Sequence, residues 1–336
     1  MTLAAFNAML LKKVEEGTET TLVRRQLKEI RKLQSDDTKH QESILWMSIQ
    51  VETVTRLMTM AYATTLLYTT LTIQVYRLGG RMFHCHTTQK QNGDYDDDDN
   101  NNKSELDGGQ QALLQSYDTF WELDGGLDEL LEFVRSAVQT ALKSWNIHDP
   151  KFALQMSFEQ LLQAISQIRA TVEAKGDLLQ RFVIMNNSMD TNNTEPAVSQ
   201  STTTTTTNST TPTNSIVLNE MYDLLESPIA NDAIRDALQC VFTILQEQYI
   251  ATIFHNSNNN VNNSTGNYNN NVRPLPHVVS QLKVMTNSFI HYDSSSHDNT
   301  TSNNSSGSST GSNIYVAAME QLPSIKVATR ISFGTL

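Results

Sequence analysis

Few residues in this chain have the type and spacing that chemistry needs. His84-Cys85-His86 is the one His/Cys cluster. Adjacent helical residues project about 100° apart, so the three cannot converge on one metal without an irregular backbone. No second His or Cys pair lies close in sequence, and the cluster reads as a helix end entering a polar loop. Asp96–Asp99 suggests an aspartate-rich magnesium site of the kind all-α diphosphate enzymes use. That chemistry requires carboxylates held rigidly at a cavity mouth. Here they sit among Asn, Gly and Asp with no apolar periodicity, so a solvated acidic loop is favoured. Glu220, Asp223 and Glu226 could pair as carboxylates on one helix face. An exposed acidic face opposite Met221, Leu224 and Leu225 is the stronger reading. Gly79-Gly80, Gly108-Gly109 and Gly125-Gly126 lack the Lys and spacing of a phosphate loop, and no Gly-x-Ser-x-Gly or His-Glu-x-x-His occurs. The sequence therefore points away from an enzyme and calls for no cofactor or metal.

What remains is surface for binding. Trp is enriched at binding hot spots. Trp46 has Leu45, Ile49 and Val51 as neighbours, more apolar residues than one narrow stripe holds. A groove that accepts an amphipathic helix needs apolar walls and a few bulky anchors. On composition alone, Trp46 serves equally well as ordinary core.

Helices must position these residues. Glu19–Leu33 carries Leu22, Val23, Leu27, Ile30 and Leu33 at helical spacing, with Arg24, Arg25, Lys28, Arg31 and Lys32 between them. Gln41–Phe83 reads as one long helix ending near Gly79-Gly80, because paired Gly terminates helices. Its charge-free part, Leu57–Tyr76, has the roughly 20 residues a bilayer span needs. Seven polar residues from Thr59 to Gln74 oppose that, and a central helix buried on nearly all sides is expected. Gly126–Trp145 has a continuous apolar stripe, with acids in its first turns and Lys143 in its last. Ser157 and Gln160 form a capping box before Phe158–Val172. Ile216–Glu226 is a short helix stopped at Ser227-Pro228. Helical segments follow at Ile229–Phe254, at His277–His291 after Pro274-Leu-Pro276, and at Ile314–Leu322. No period-2 strand emerges, so the fold class is all-α.

The chain has 336 residues, with 24 Lys+Arg against 36 Asp+Glu, a net charge of −12. That balance excludes a sequence-independent nucleic-acid binder, which needs cations for phosphates. Two cysteines exclude a disulfide framework and fit a cytosol-facing chain. Met1–Gly17 lacks the pattern of an export signal. Four polar, low-complexity insertions, 87–110, 186–215, 255–272 and 292–313, interrupt the foldable sequence. They are expected to be disordered surface loops in a single all-α domain spanning 1–336.

Read in order, the ordered segments resemble the peroxin-3 family of peroxisomal biogenesis factors. Met1–Leu11 resembles the family's short helix after its membrane anchor. Ile44–Arg56, with a Trp and an Arg ten residues later, resembles a family stretch. Tyr62–Gly80 resembles its long central helix, and Gly125–Val172 a helix pair. Leu218–Pro228 is the most specific match, and Val272–Ile290 and Ala317–Phe333 resemble the last two segments. The chain departs from the pattern at Thr72 and Tyr76, and it begins after the family's membrane anchor.

The resemblance implies an elongated bundle around Gln41–Leu78. It implies a peroxisomal membrane-protein import receptor that docks the N-terminal amphipathic helix of peroxin-19, and through it membrane-protein cargo. It places the protein at the peroxisomal membrane, facing the cytosol. Trp46 matches the family's groove Trp, and Leu33, Leu45, Ile49, Leu78 and Met82 are the matches for groove walls. The alternatives are a helical adaptor or tether with another helix-presenting partner and, third, the metal-dependent all-α enzyme.

Overall fold

A computed structural model of the protein describes residues 3–18, 20–33, 36–92, 120, 125–143, 155–183, 220, 222–255, 272–289 and 313–334. They are almost entirely helical, as the periodicity requires. The elements are α1 (Leu3–Glu16), α2 (Thr20–Leu33), α3 (Asp36–Asn92), α4 (Gly126–Lys143), β1 (Gln155–Ser157), α5 (Phe158–Glu173) and α6 (Leu178–Phe182). Then come α7 (Pro228–Ile244), a π-helical turn (Leu245–Ile250), α8 (Ala251–His255), β2 (Val272–Pro274), α9 (Leu275–Ser288), α10 (Ile314–Glu320) and α11 (Pro323–Phe333). Trp145, Asp94–Asp99 and Gly108-Gly109 lie outside the described residues. So does the interior of each polar insertion.

The chain forms two compact units, each assembled from three separate stretches. Unit one is Met1–Leu66, Asp128–Gly176 and Ile234–Leu322; unit two is Leu67–Leu127, Asp177–Ala233 and Pro323–Leu336. The helix α3 contributes to both.

In unit one, every residue of α3 from Thr53 to Leu66 is buried. Two of its threonines meet this by donating the hydroxyl to the carbonyl one turn back, while the hydroxyls of Thr55, Thr59 and Thr64 are buried without a hydrogen-bond partner among the described residues. Thr53 donates to the Ile49 carbonyl at 2.7 Å and Thr65 to that of Ala61 at 2.8 Å. Tyr62 is fully buried, and its hydroxyl donates to Glu173 at 3.2 Å. Its ring meets Phe242 edge-on at 5.3 Å, while the Arg169 guanidinium lies over the same Phe242 ring and pairs with Glu173 at 2.7 Å. Burial, and then the neighbouring Glu173 carboxylate, raise the Tyr62 phenol well above its ordinary range.

Local signals fix several elements of this unit. Ser157 accepts from the Gln160 amide at 3.1 Å, and the Gln160 side chain accepts from the Ser157 amide at 2.9 Å, completing the capping box. Along α5, Leu161, Ala164, Ile165, Ile168 and Val172 are buried. On α4 the buried stripe runs through Leu130, Leu131, Val134, Val138 and Ala141. Asn313 is buried and caps α10: it accepts from the Tyr315 amide and donates to the Phe289 carbonyl. That cap fixes Tyr315 in a stack on Phe289, with ring centres 4.1 Å apart.

Three features differ from the sequence reading. Two strands exist: β1 and β2 pair antiparallel, Met156 opposite Arg273. At three residues each, they are too short to show a period. The helical segment Ile229–Phe254 is broken by the π turn at Leu245–Ile250, whose ends, Leu245 and Ile250, are both buried. An extra residue in that turn keeps the following Ile253 and Phe254 facing the core. Finally, α3 does not stop at Gly79-Gly80 but runs 57 residues to Asn92.

Unit two explains the glycines. A Cβ on Gly80 would collide with the backbone carbonyl of Phe333 on α11. The pair therefore serves close helix approach, and neither glycine has positive φ. A Cβ on Gly79 would meet only the Phe333 ring edge, at an ordinary 3.7 Å. Beside this contact Glu220 bridges two cations of α3, accepting from Arg77 at 2.5 Å and from Arg81 at 2.7 Å. Burial acts to raise the Glu220 carboxyl, but the hydrogen bonds and charges of the two arginines outweigh it and hold its pKa below 4.5.

Two predictions follow from unit two. Gly80→Ala forces α11 away and costs about 2 kcal/mol, as overpacking does. Gly79→Ala gains about 0.5–1 kcal/mol, because alanine is the better helix former. Urea denaturation of both variants checks the contrast, and equal effects would contradict the close approach. Glu220→Gln lowers stability at neutral pH by up to about 1 kcal/mol, discounted because the bridge is partly solvated. The folded carboxyl binds its proton less readily than the unfolded one, so its contribution is complete above the ordinary carboxyl pKa of 4.5 and fades below it. Melts of wild type and variant across that window should converge at the acid end.

Candidate partner-binding site

The site is built on the start of α3, where the helix leaves the fully buried stretch. Leu45 and Trp46 are half-buried, whereas Ile49, one turn further on, is 1% exposed. Helical spacing puts these three on adjoining faces. Ile49 thus supplies core beneath Trp46, and Leu45 and Trp46 supply accessible surface.

Trp46 is held by polar partners along one edge. Its indole N–H donates to Glu42, one turn earlier, at 3.4 Å. Glu42 also accepts from the Arg31 Nε of α2 at 2.9 Å, with Arg31 Nη2 at 2.8 Å. The Arg31 guanidinium centre lies 5.8 Å from the Trp46 ring centre, within reach of a cation–π contact. One carboxylate therefore ties α2 to α3 and fixes the indole at the same time. The Glu42–Trp46 half of this arrangement has i,i+4 spacing and could be found in sequence. Arg31 belongs to another helix and could not.

Further along, the Arg56 side chain is 3% exposed and pairs with Glu15 of α1. Burial pushes its pKa down to about 10. On α4, Arg135 pairs with Glu132 and with Glu52 of α3 at 3.3 Å, and it donates to the Gly17 carbonyl at 2.6 Å. These pairs fasten α1 and α4 to α3 within unit one.

The remaining expected groove residues lie elsewhere. Leu33 ends α2, and its side chain lies outside the described residues. Leu78 is half-buried and Met82 is 41% exposed, both on the part of α3 that belongs to unit two. The six residues are thus divided between the units. Leu33, Leu45, Trp46 and Ile49 share unit one. The His84-Cys85-His86 cluster is helical, with His84 exposed. Among the described residues no group of three or more His, Cys, Asp or Glu could hold a metal ion. Glu220, read from sequence as exposed, is a structural partner of Arg77 and Arg81 instead.

A family model described as Peroxin-3 matches residues 7–327. The chain belongs to the peroxin-3 family. No curated protein matches it. The peroxin-3 family serves peroxisome biogenesis and associates with the peroxisomal membrane. Among the described residues no helix is long and apolar enough to cross a membrane, and Leu57–Tyr76 lies inside α3. In this peroxin-3 chain, Trp46 is the half-buried Trp of the described residues, since Trp121 and Trp145 lie outside them.

The clamp on Trp46 has an optical consequence. In a Trp121→Phe, Trp145→Phe background, Arg31→Ala should red-shift Trp46 emission and increase its quenching by acrylamide. The stability change should stay within about 1 kcal/mol, as for other exposed ion pairs. Unchanged emission and quenching would show that the guanidinium does not shield the indole.

Proposed function

We propose that this peroxin-3 chain is a docking receptor for import of peroxisomal membrane proteins, and not an enzyme. Its partner is the N-terminal amphipathic helix of peroxin-19, which presents membrane-protein cargo at the cytosolic face of the peroxisomal membrane. Family membership supports the biological setting. The single observation that supports the site is Trp46: a bulky anchor, half-buried, oriented by Glu42 and Arg31 at the edge of a packed core.

The physics of such a site is simple. A helix that orders on binding loses conformational entropy, so a few deeply desolvated anchors must supply the affinity. A preoriented indole loses little freedom when the partner arrives, and Leu45 extends its apolar surface.

The test is a titration of labelled peroxin-19 N-terminal peptide, from the same organism, into the full chain. Trp46→Ala should weaken binding by about 2 kcal/mol or more while circular dichroism and melting remain those of a folded protein. Undiminished affinity in a folded Trp46→Ala variant would remove the site from this surface. Absence of binding to the folded wild type would remove peroxin-19 as the partner.

A further inference from the structure

Apart from Arg31, the cations of α2 form no ion pair among the described residues. At 100° per residue, Arg24, Arg25, Lys28, Arg31 and Lys32 lie within roughly 120° of one another and form one stripe about 12 Å long. The opposite side of the helix carries Leu27, which is buried, and Val23 and Ile30, which are half-buried. Arg25, Lys28, Arg31 and Lys32 are exposed and Arg24 is half-buried. Arg31 has Glu42 as its counter-charge. Among the described residues, Arg24, Arg25, Lys28 and Lys32 form no ion pair, and neither does Glu29, the one acid of α2.

Both ends of the stripe meet features already described. At one end Arg31 sits beside Trp46. At the other, Arg24 acts on Lys283 of α9. Burial first, and then the charges of Arg24 and Arg56, hold the Lys283 ammonium below its ordinary value. Lys283 forms no ion pair among the described residues. A chain of net charge −12 thus gathers, at the margin of one apolar anchor, four cations that form no ion pair among the described residues.

We infer that this stripe selects the charge of the docked segment: the occupant of the Trp46 surface is an amphipathic helix whose polar face is acidic. The inference rests on the docking reading above and adds the chemistry of the partner. A helix presents apolar residues and carboxylates in neighbouring rows at i,i+3 and i,i+4 spacing, which matches an indole beside a row of cations. An anionic membrane is the competing occupant. It fits less well, because the described apolar residues of α2, Val23, Leu27 and Ile30, are buried or half-buried against the protein and are not free to enter the lipid. Complementary charge acts mainly on encounter, so its mark is a fast, salt-sensitive association rate.

The experiment uses the full chain and three labelled helical peptides. All three carry one common apolar face, with polar faces of Glu, Gln or Lys. Stopped-flow anisotropy measures association at about 0.05 M and about 0.5 M salt. The Glu peptide should associate at least about tenfold faster than the Gln peptide at low salt, the Lys peptide slowest, with the gaps closing at high salt. The exposed triple variant Arg25→Gln, Lys28→Gln, Lys32→Gln should abolish the gaps. Equal low-salt rates for Glu and Gln peptides would overturn the inference. If Trp46→Ala still abolished binding of both, the docking reading would survive alone. A Glu preference that ignored Trp46→Ala would sustain the charge selection and remove the docking surface from Trp46. Failure of all three peptides to bind would overturn both. Capture by phosphatidylserine–phosphatidylcholine vesicles, lost in the triple variant and without any peptide preference, would assign the stripe to lipid.

Discussion

A helix buried around its whole circumference needs a covering on every side, and that requirement organises unit one. From Thr53 to Leu66 no residue of α3 reaches solvent. Such a helix cannot be amphipathic, and its polar residues cannot be solvated. Threonine meets the condition by turning its hydroxyl onto its own helix, as Thr53 and Thr65 do. The charged groups are handled differently. Arg56 takes Glu15 from α1, and Tyr62 takes Glu173 from α5. Arg56 and Tyr62 therefore specify neighbours, and they hold covering helices in register by polar contacts as well as by apolar area; the buried hydroxyls of Thr55, Thr59 and Thr64 find no hydrogen-bond partner among the described residues and pack as methyl-bearing side chains.

The same constraint shapes the surface around Trp46. Where the covering ends, α3 emerges with its apolar pattern still running. Ile49 is inside, and Leu45 and Trp46 are at the border. A surface of this kind is the unfinished edge of a core. Its preorganisation comes from Glu42, which one long-range and one local contact share. In the docking proposed above, the positive charge of α2 adds a long-range field to a short-range apolar contact, two terms that act at different stages of an encounter.

Sequence reading succeeded where the determinants are local. Periodicity located α2, α4 and α9, and the Ser157–Gln160 box located the start of α5 to the residue. It failed where a neighbour decides. Gly79-Gly80 looks like a helix end in isolation, and only the Phe333 backbone shows that Gly80 is a contact surface. Glu220 looks solvated until Arg77 and Arg81 are placed beside it. The π turn leaves no sign in composition, because it alters phase and not pattern. Of the site, Trp46 and Leu45 were legible as surplus apolar residues on α3. Ile49 has the same signature and is core. Their difference lies in what covers them, which no spacing rule encodes.

Unit two closes on its own last helix. Gly80 waits for Phe333, and Arg77 donates at 3.5 Å to the carbonyl of Ser332, a partner 255 residues further along the chain. The unit combines Leu67–Leu127 with Asp177–Ala233 and Pro323–Leu336. During synthesis the second half of α3 must therefore leave the ribosome without its cover. It carries apolar side chains such as Ile73, buried in the finished fold, unshielded until Pro323–Phe333 has been made. Closure of this unit depends on contacts of long sequence separation, the kind that forms slowly and leaves apolar surface open in the meantime.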